Sequence, residues 1–136
     1  MNNKGYIIRE YELGDKAFIM STFLKSLYYG DSWFSIIPKN IFMDNYKKIV
    51  EALITQGVVK IACLPDDKDE ILGYSILGKD GTTVHFVYVK KVQRKNGVAK
   101  SLIPKYTHTV THLTELGKIL LPKLNNAVFN PFHLGV

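Results

Sequence analysis

The stretch Phe86-Val-Tyr-Val-Lys-Lys-Val-Gln-Arg-Lys-Asn-Gly-Val-Ala99 constrains this chain more than any other. It opens on aromatic and β-branched residues, whose side chains suit a buried strand. A basic turn over residues 90–95 follows, then Asn96-Gly97, then a helical pattern from Val98. A strand that ends in a cationic, glycine-bearing turn and runs into a helix start is suited to holding an anion. The first N–H groups of a helix lack intrahelical partners, the helix dipole adds positive charge there, and glycine lets a ligand approach the backbone. Arg94 and Lys95 add full charges that suit phosphate.

The remaining elements can be read around that stretch. Residues 6–11 alternate as a first strand, and Gly14-Asp15 offers a helix cap. Phe18, Ile19, Met20, Phe23, Leu24 and Leu27 then recur at helical spacing until Gly30-Asp31-Ser32 breaks the pattern. An aromatic and apolar segment over 33–37 leads to Pro38, which suits the start of a second helix. Phe42, Tyr46, Ile49 and Leu53 form the inward stripe of that helix, and Gly57 ends it. Strands are expected over 58–64, over 71–77 after a polar turn at 65–69, and over 82–89 after the hairpin signal Asp80-Gly81. Pro104 predicts a kinked or shortened helix after Gly97. Thr107, Thr109, Val110 and Thr111 suggest a fifth strand near 108–113. A last helix over 114–124, interrupted by Gly117 and Pro122, and a closing strand over 126–129 complete the expectation.

Arg94-x-x-Gly97-x-Ala99 resembles the pyrophosphate loop of the GNAT superfamily of acyl-CoA N-acyltransferases, written Gln/Arg-x-x-Gly-x-Gly/Ala. Val89 stands at that family's usual distance before the arginine, and Ile71-Leu-Gly-Tyr74 fits its apolar-x-Gly-aromatic third strand. Ile8-Arg9 with Asp15 before an amphipathic helix is similar to the family's opening. The expected order β-α-α-β-β-β-α-β-α-β is also the family's order. The resemblance implies one α/β (α+β) domain over residues 1–136, with a mixed, mostly antiparallel sheet flanked by helices. It further implies transfer of an acetyl group from acetyl-CoA to an amine of a small molecule or protein, by direct attack on the thioester. Main-chain groups of Val87 and Val89 would hold the pantetheine arm. Backbone N–H groups of Gln93, Arg94, Lys95, Asn96, Gly97, Val98 and Ala99 would hold the pyrophosphate.

Catalytic residues are less sharply marked. Residues 114–124, where the family often carries an acid tyrosine, contain no tyrosine, and the fourth strand has no Asp or Glu. His85 and Tyr88 on that strand and His112 on the fifth remain as candidates, and a neutral histidine is a suitable base near pH 7. Each histidine taken alone reads more readily as a hydrogen-bonded structural residue. Tyr28, Tyr29 and Trp33 gather at the junction between the first two helices, which in the family borders the acceptor cleft, so they are candidates to line a substrate pocket. Phe34 reads better as core. His108-x-x-x-His112-x-x-Glu115 would bind zinc only on a helix. The surrounding threonines favour a strand, where the two histidines would stand about 13 Å apart, so no metal site is expected.

Charge and composition bound the partners. A net charge of +6 suggests an anionic ligand. Lys47-Lys48, Lys90-Lys91 and Arg94-Lys95 are separate pairs rather than one block, so a polyanionic cofactor is favoured over nucleic acid, which stays a less favoured option. The single Cys63 excludes an internal disulfide and reads as an inert core thiol. No apolar run approaches the ~18 residues of a membrane span, and no signal-peptide pattern opens the chain; a cytoplasmic protein is expected. The acceptor and the oligomeric state, a homodimer among the options, stay open. So does a second reading, in which the fold serves as a structural or binding module with weak or no catalysis.

Overall fold

The computed structural model describes residues 5–30, 32–94, 96–112, 121–124 and 127–134, with Ser32 and Trp33 as backbone only. Strand β1 (Ile7–Glu10) leads through a 3-10 turn into helix α1 (Lys16–Gly30). A short helix α2 (Ser32–Ser35) and the long helix α3 (Lys39–Gln56) follow. Strands β2 (Val58–Leu64), β3 (Asp67–Leu77) and β4 (Thr83–Val89) form the centre of the sheet. Helix α4 (Val98–Leu102) and the short strands β5 (Thr109–Val110) and β6 (Val128–Phe129) complete the order. The six strands lie side by side in chain order, antiparallel from β1 to β4 and parallel from β4 through β5 to β6.

Successive side chains on a strand face opposite ways, so the sheet divides two cores. Phe86 and Tyr88 of β4 join Ile19, Phe23 and Leu27 of α1 and Phe42, Val50 and Leu53 of α3. Val87 and Val89 face the other way and pack with Val98, Ala99 and Leu102 of α4 and with Tyr6. Most of the expected inward stripe of α3 is realised: Phe42 and Leu53 are buried, and Tyr46 and Ile49 pack half-buried against the same core.

Several expectations are corrected. The polar turn at 65–69 shrinks to Pro65-Asp66, because Leu64 already pairs with Asp67 and the charged run 67–70 belongs to β3. Asp15 does not cap α1 directly. It closes the preceding 3-10 turn by accepting the Glu12 N–H at 2.8 Å. Segment 33–37 begins within the short helix α2. Helix α4 has only five residues, ending as Ile103 turns to extended geometry (φ −104°, ψ 155°), the conformation imposed on a residue before proline. The fifth strand is confined to Thr109–Val110, and the closing strand to Val128–Phe129. Of the last helix expected over 114–124, residues 113–120 lie outside the described residues, and Leu121–Lys123 form a 3-10 turn. Asp31, Lys95, Glu115 and Asn126 also lie outside. Among the described residues no helix is long and apolar enough to cross a membrane.

Candidate functional site: the splay between β4 and β5 and its basic cleft

Strands β4 and β5 share only two residue pairs, Thr83 with Thr109 and Val84 with Val110. Beyond them the Thr111 N–H reaches the Val84 carbonyl at 3.1 Å, and the described main-chain bonding between the two strands ends there. The register of β3 and β4 fixes which groups face the gap. The Lys90 N–H donates to the Leu72 carbonyl at 2.8 Å, continuing the hydrogen-bonded pairs Tyr88–Tyr74 and Phe86–Ile76. Val87 and Val89 therefore alternate with these pairs and turn their main-chain groups away from β3, toward the β5 side of β4. Gly73 permits this close packing: a Cβ there would stand 2.6 Å from the Tyr88 carbonyl oxygen and 3.2 Å from Val89 Cα.

The basic turn closes the end of the gap. A 3-10 turn over Lys91–Gln93 leads to Arg94, whose Nε donates to the Val89 carbonyl at 3.2 Å. Asn96 Nδ2 donates to Gln93 Oε1 at 2.9 Å. Gly97 adopts left-handed geometry at φ +79°, with open space where a Cβ would stand, so a ligand can meet the loop backbone there. A helix of five residues has a small dipole, so Arg94 rather than α4 itself supplies the positive character of the loop. The expectation that every N–H group from Gln93 to Ala99 faces a ligand is corrected: those of Gln93, Arg94 and Asn96 donate within the turn to the Lys90, Lys91 and Gln93 carbonyls. The Tyr6 hydroxyl anchors the loop from β1's side: it lies 2.6 Å from Ser101 Oγ and 3.3 Å from the Gly97 carbonyl.

A cleft of about 660 Å³ opens beside this loop on the α4 face. Arg94, Gly97, Lys100, Lys105, Tyr106 and Lys123 line it, together with Ile103, Pro104 and Leu124. Sequence reasoning missed Lys100, Lys105, Tyr106 and Lys123. Their spacing carries no motif, because the cleft draws on α4, the segment after Pro104 and the chain near Lys123 together. On the other face, at the start of α1, lies a recess of about 360 Å³ bounded by Glu12, Asp15, Asp69, Glu70, Phe18 and Lys90. Arg9 grips Asp15 through two bonds of 2.9 and 2.8 Å. Burial raises the Asp15 carboxyl, but the Arg9 and Glu12 hydrogen bonds outweigh it and hold the group below its usual range.

The histidine candidates meet around Thr111. His85 is 1% exposed and His112 is 7% exposed. Thr111 Oγ1 lies 3.0 Å from His85 Nδ1 and 2.9 Å from His112 Nδ1. His112 Nδ1 is also 3.1 Å from the His85 carbonyl, which can only accept, so the proton of the neutral ring sits on Nδ1 and Nε2 carries the lone pair. Burial pushes His112 down to about 4, against the His85 carbonyl bond that favours its charged form, so the ring is neutral at pH 7. Tyr88 lies elsewhere on the same face, stacked on Tyr74 at 5.4 Å. His108, by contrast, lines the basic cleft, so the two histidines of the rejected metal motif sit in different environments.

Of the acceptor candidates, Tyr28 is a packing residue: it is buried, stacks against Phe42 and donates its hydroxyl to the Ile37 carbonyl at 2.9 Å. Tyr29 is 64% exposed, with Lys39 Nζ 5.5 Å from its ring centroid. Trp33 lies in α2, its side chain outside the described residues. Phe34 packs on Phe42 and Tyr46, as a core role requires.

No protein-family model and no curated protein matches the chain. Solved structures do. A GCN5-related N-acetyltransferase from Rhodopseudomonas palustris, described also as a class-II aminotransferase, aligns at TM-score 0.52 and 19% identity, over 75% of this chain and 63% of its own. A Pyrococcus furiosus protein provisionally assigned as an acetyl transferase aligns at TM-score 0.56 and 15% identity, over 92% of this chain and 81% of its own. A Pyrococcus horikoshii protein of similar provisional assignment aligns at TM-score 0.50 and 18% identity, over 90% of this chain and 43% of its own. The chain has the GNAT fold. It spans less than two thirds of the Rhodopseudomonas and P. horikoshii proteins. Likeness at this identity defines the fold, and the chemistry must be argued from the site.

Proposed function

We propose that residues 1–136 form one acyltransferase domain that moves an acetyl group from acetyl-CoA to an amine. The observation that carries this reading is the juxtaposition of a β4–β5 pairing limited to two residue pairs, main-chain groups of Val87 and Val89 beyond it turned away from β3, and a cationic glycine turn that follows them. The residues present fit such a donor: β4 offers hydrogen-bonding backbone at Val87 and Val89 to an amide-bearing arm, and the loop offers the backbone around Gly97 and the Arg94 side chain to a diphosphate. When bound, acetyl-CoA supplies a thioester carbonyl carbon open to attack by an amine.

The chain's own part is to hold, orient and manage one proton. Val87 and Val89 orient the donor arm, while Gln93 to Ala99 hold its diphosphate; Lys95 is assigned here from its sequence position. His112 is the proposed base, its Nε2 lone pair kept available by the Nδ1–H bond to His85 and by a ring that stays neutral down to about pH 4. His85 and Thr111 position it. Tyr88 is the proposed acid for the departing thiol. Tyr29 and Trp33 are proposed at the acceptor entrance, with Tyr28 bracing Tyr29 from the core.

A specific observation favours a second reading. A histidine with a pKa near 4 is a weak base at pH 7, and among the described residues no carboxylate is paired with it. The fold would then serve as a binding module. Calorimetric titration with acetyl-CoA, followed by an amine screen, separates the two: micromolar, saturable binding with turnover supports the enzyme, binding without turnover supports the module, and no binding at millimolar ligand removes the donor assignment.

A further inference from the structure

Packing accounts for the ring of Tyr46 but not for its hydroxyl. The ring is held on three sides: it stacks on Phe42 at 4.9 Å and lies edge-on to Phe34 at 5.5 Å and to His112 at 6.0 Å. A phenylalanine would fill that place equally well. Other buried tyrosines of this protein bond their hydroxyls. Tyr28 donates to the Ile37 carbonyl, the Tyr74 hydroxyl lies 2.7 Å from Thr22 Oγ1, and the Tyr6 hydroxyl lies 2.6 Å from Ser101 Oγ. Tyr46 is half-buried, yet its hydroxyl makes no hydrogen bond among the described residues. Burial raises the phenol above its ordinary value, so the group stays protonated and can serve as a donor. A half-buried donor without a protein partner calls for an explanation, and a ligand group supplies one.

The neighbouring histidine shows where that donor sits. The Thr111 N–H to the Val84 carbonyl is the last described main-chain bond between β4 and β5, and His112 Nδ1 reaches the His85 carbonyl one residue further along β4. Val87, assigned to the donor arm, follows two residues on. Both described hydrogen bonds of the His112 ring fall on Nδ1, which leaves Nε2 as an acceptor. Adjacent rings, one on α3 and one just past β5, therefore carry a donor and an acceptor where the strand pairing stops. Acyl transfer to an amine needs that combination, because nitrogen loses a proton while the carbonyl oxygen gains negative charge.

We infer that Tyr46 is a further catalytic residue, whose hydroxyl donates a hydrogen bond to the acyl carbonyl oxygen while His112 Nε2 takes the amine proton. The inference rests on the proposed donor and base and adds a group that reading does not contain. As the N–C bond forms, the C=O pair moves onto oxygen, and the Tyr46 O–H stabilises it without giving up its proton. His112 Nε2 takes the proton from nitrogen. The pair then returns to carbon, the C–S bond breaks, and sulfur takes a proton from Tyr88; solvent carries the His112 proton back to Tyr88. A donor aimed at an oxygen that becomes charged contributes about a hundredfold or more to kcat.

The test is isotope-edited infrared spectroscopy of the wild type and of Tyr46→Phe, each saturated with acetyl-CoA labelled at the thioester carbonyl. The carbonyl stretch should move to higher frequency in Tyr46→Phe, as loss of a hydrogen bond requires, while acetyl-CoA affinity by calorimetry changes by less than about tenfold. The melting temperature should stay within about 4 °C, because the hydroxyl holds no partner in the fold. With the fastest amine of the screen as acceptor, kcat should fall about a hundredfold or more and the amine KM should stay within about threefold. An unchanged stretch with saturable binding in both proteins overturns the inference and leaves the donor assignment standing. A larger drop in melting temperature makes the hydroxyl part of the fold and also overturns it. Saturable binding by neither protein overturns the inference and the donor together. A wild type that binds acetyl-CoA but acylates no amine of the screen overturns the inference and the enzyme reading, and leaves the donor site standing.

Discussion

The two recesses of this protein carry opposite charge and opposite degrees of compensation. The acidic recess at the start of α1 is already paired: Arg9 holds Asp15, Lys90 lies 2.9 Å from Glu70, and Lys68 lies 3.5 Å from Glu12. Three of its four carboxylates are spoken for, Asp69 being the exception, and its main product is a joint between β1, β3 and the head of α1. The basic cleft beside α4 has Arg94 tied only to a carbonyl and three lysines without carboxylate partners among the described residues. A charge cluster that satisfies itself is architecture, and one left unsatisfied is a request for a ligand.

The largest effect should come from breaking the compensated side. Arg9→Ala leaves Asp15 buried without its counter-ion, and unfolding in urea should show a loss of about 3–5 kcal/mol. The folded fraction should keep its acetyl-CoA affinity, and a selective loss of that affinity would tie the acidic recess to the donor site. On the uncompensated side the balance reverses. Gly97→Val should weaken acetyl-CoA by roughly a hundredfold while costing about 1–2 kcal/mol of stability, because a side chain must enter left-handed geometry. Unchanged affinity would remove the loop from the site.

Two smaller effects sharpen the contrast. His112 is depressed from 6.5 to about 4 in the folded protein. The unfolded chain therefore takes up a proton first as pH falls, and stability should decline from pH 6.5 to 4 by up to about 1.4 kcal/mol per unit. His112→Gln should flatten that slope; a wild-type profile already flat there would contradict the buried neutral ring. Finally, raising NaCl from about 50 to about 200 mM should weaken acetyl-CoA several-fold, since exposed charges are screened over about 8–10 Å. The Arg9–Asp15 joint should hardly respond.

The sequence was most legible where one physical demand dominated. Strands β2 and β4 read correctly because buried strands need β-branched and aromatic runs, and α3 because Pro38 and Gly57 bracket an apolar stripe. The run 67–70 misled because its charges signal a loop, whereas in a hairpin that extends into solvent they simply lie on paired strand. Pro104 announced a short α4 but could not announce how the chain beyond it would bring Lys105 and Lys123 beside Lys100. Likewise, His85 and His112 are 27 residues apart and meet only because β4 and β5 run parallel through Thr83 and Val84. The strand, turn and short helix around Gly97 are local in sequence and were readable; the cleft and the histidine pair are products of tertiary structure and were not.

The narrow β4–β5 seam has a mechanical consequence. Two residue pairs join a four-stranded antiparallel plate to the parallel strands beyond it. Such a seam is the natural fold line of the sheet, and the plates can flex about Thr83–Val84 without disturbing β2 or β3. Amide exchange should therefore be fastest along β5 and slowest in β3, and the entrance to the gap would widen or narrow at the cost of very few hydrogen bonds.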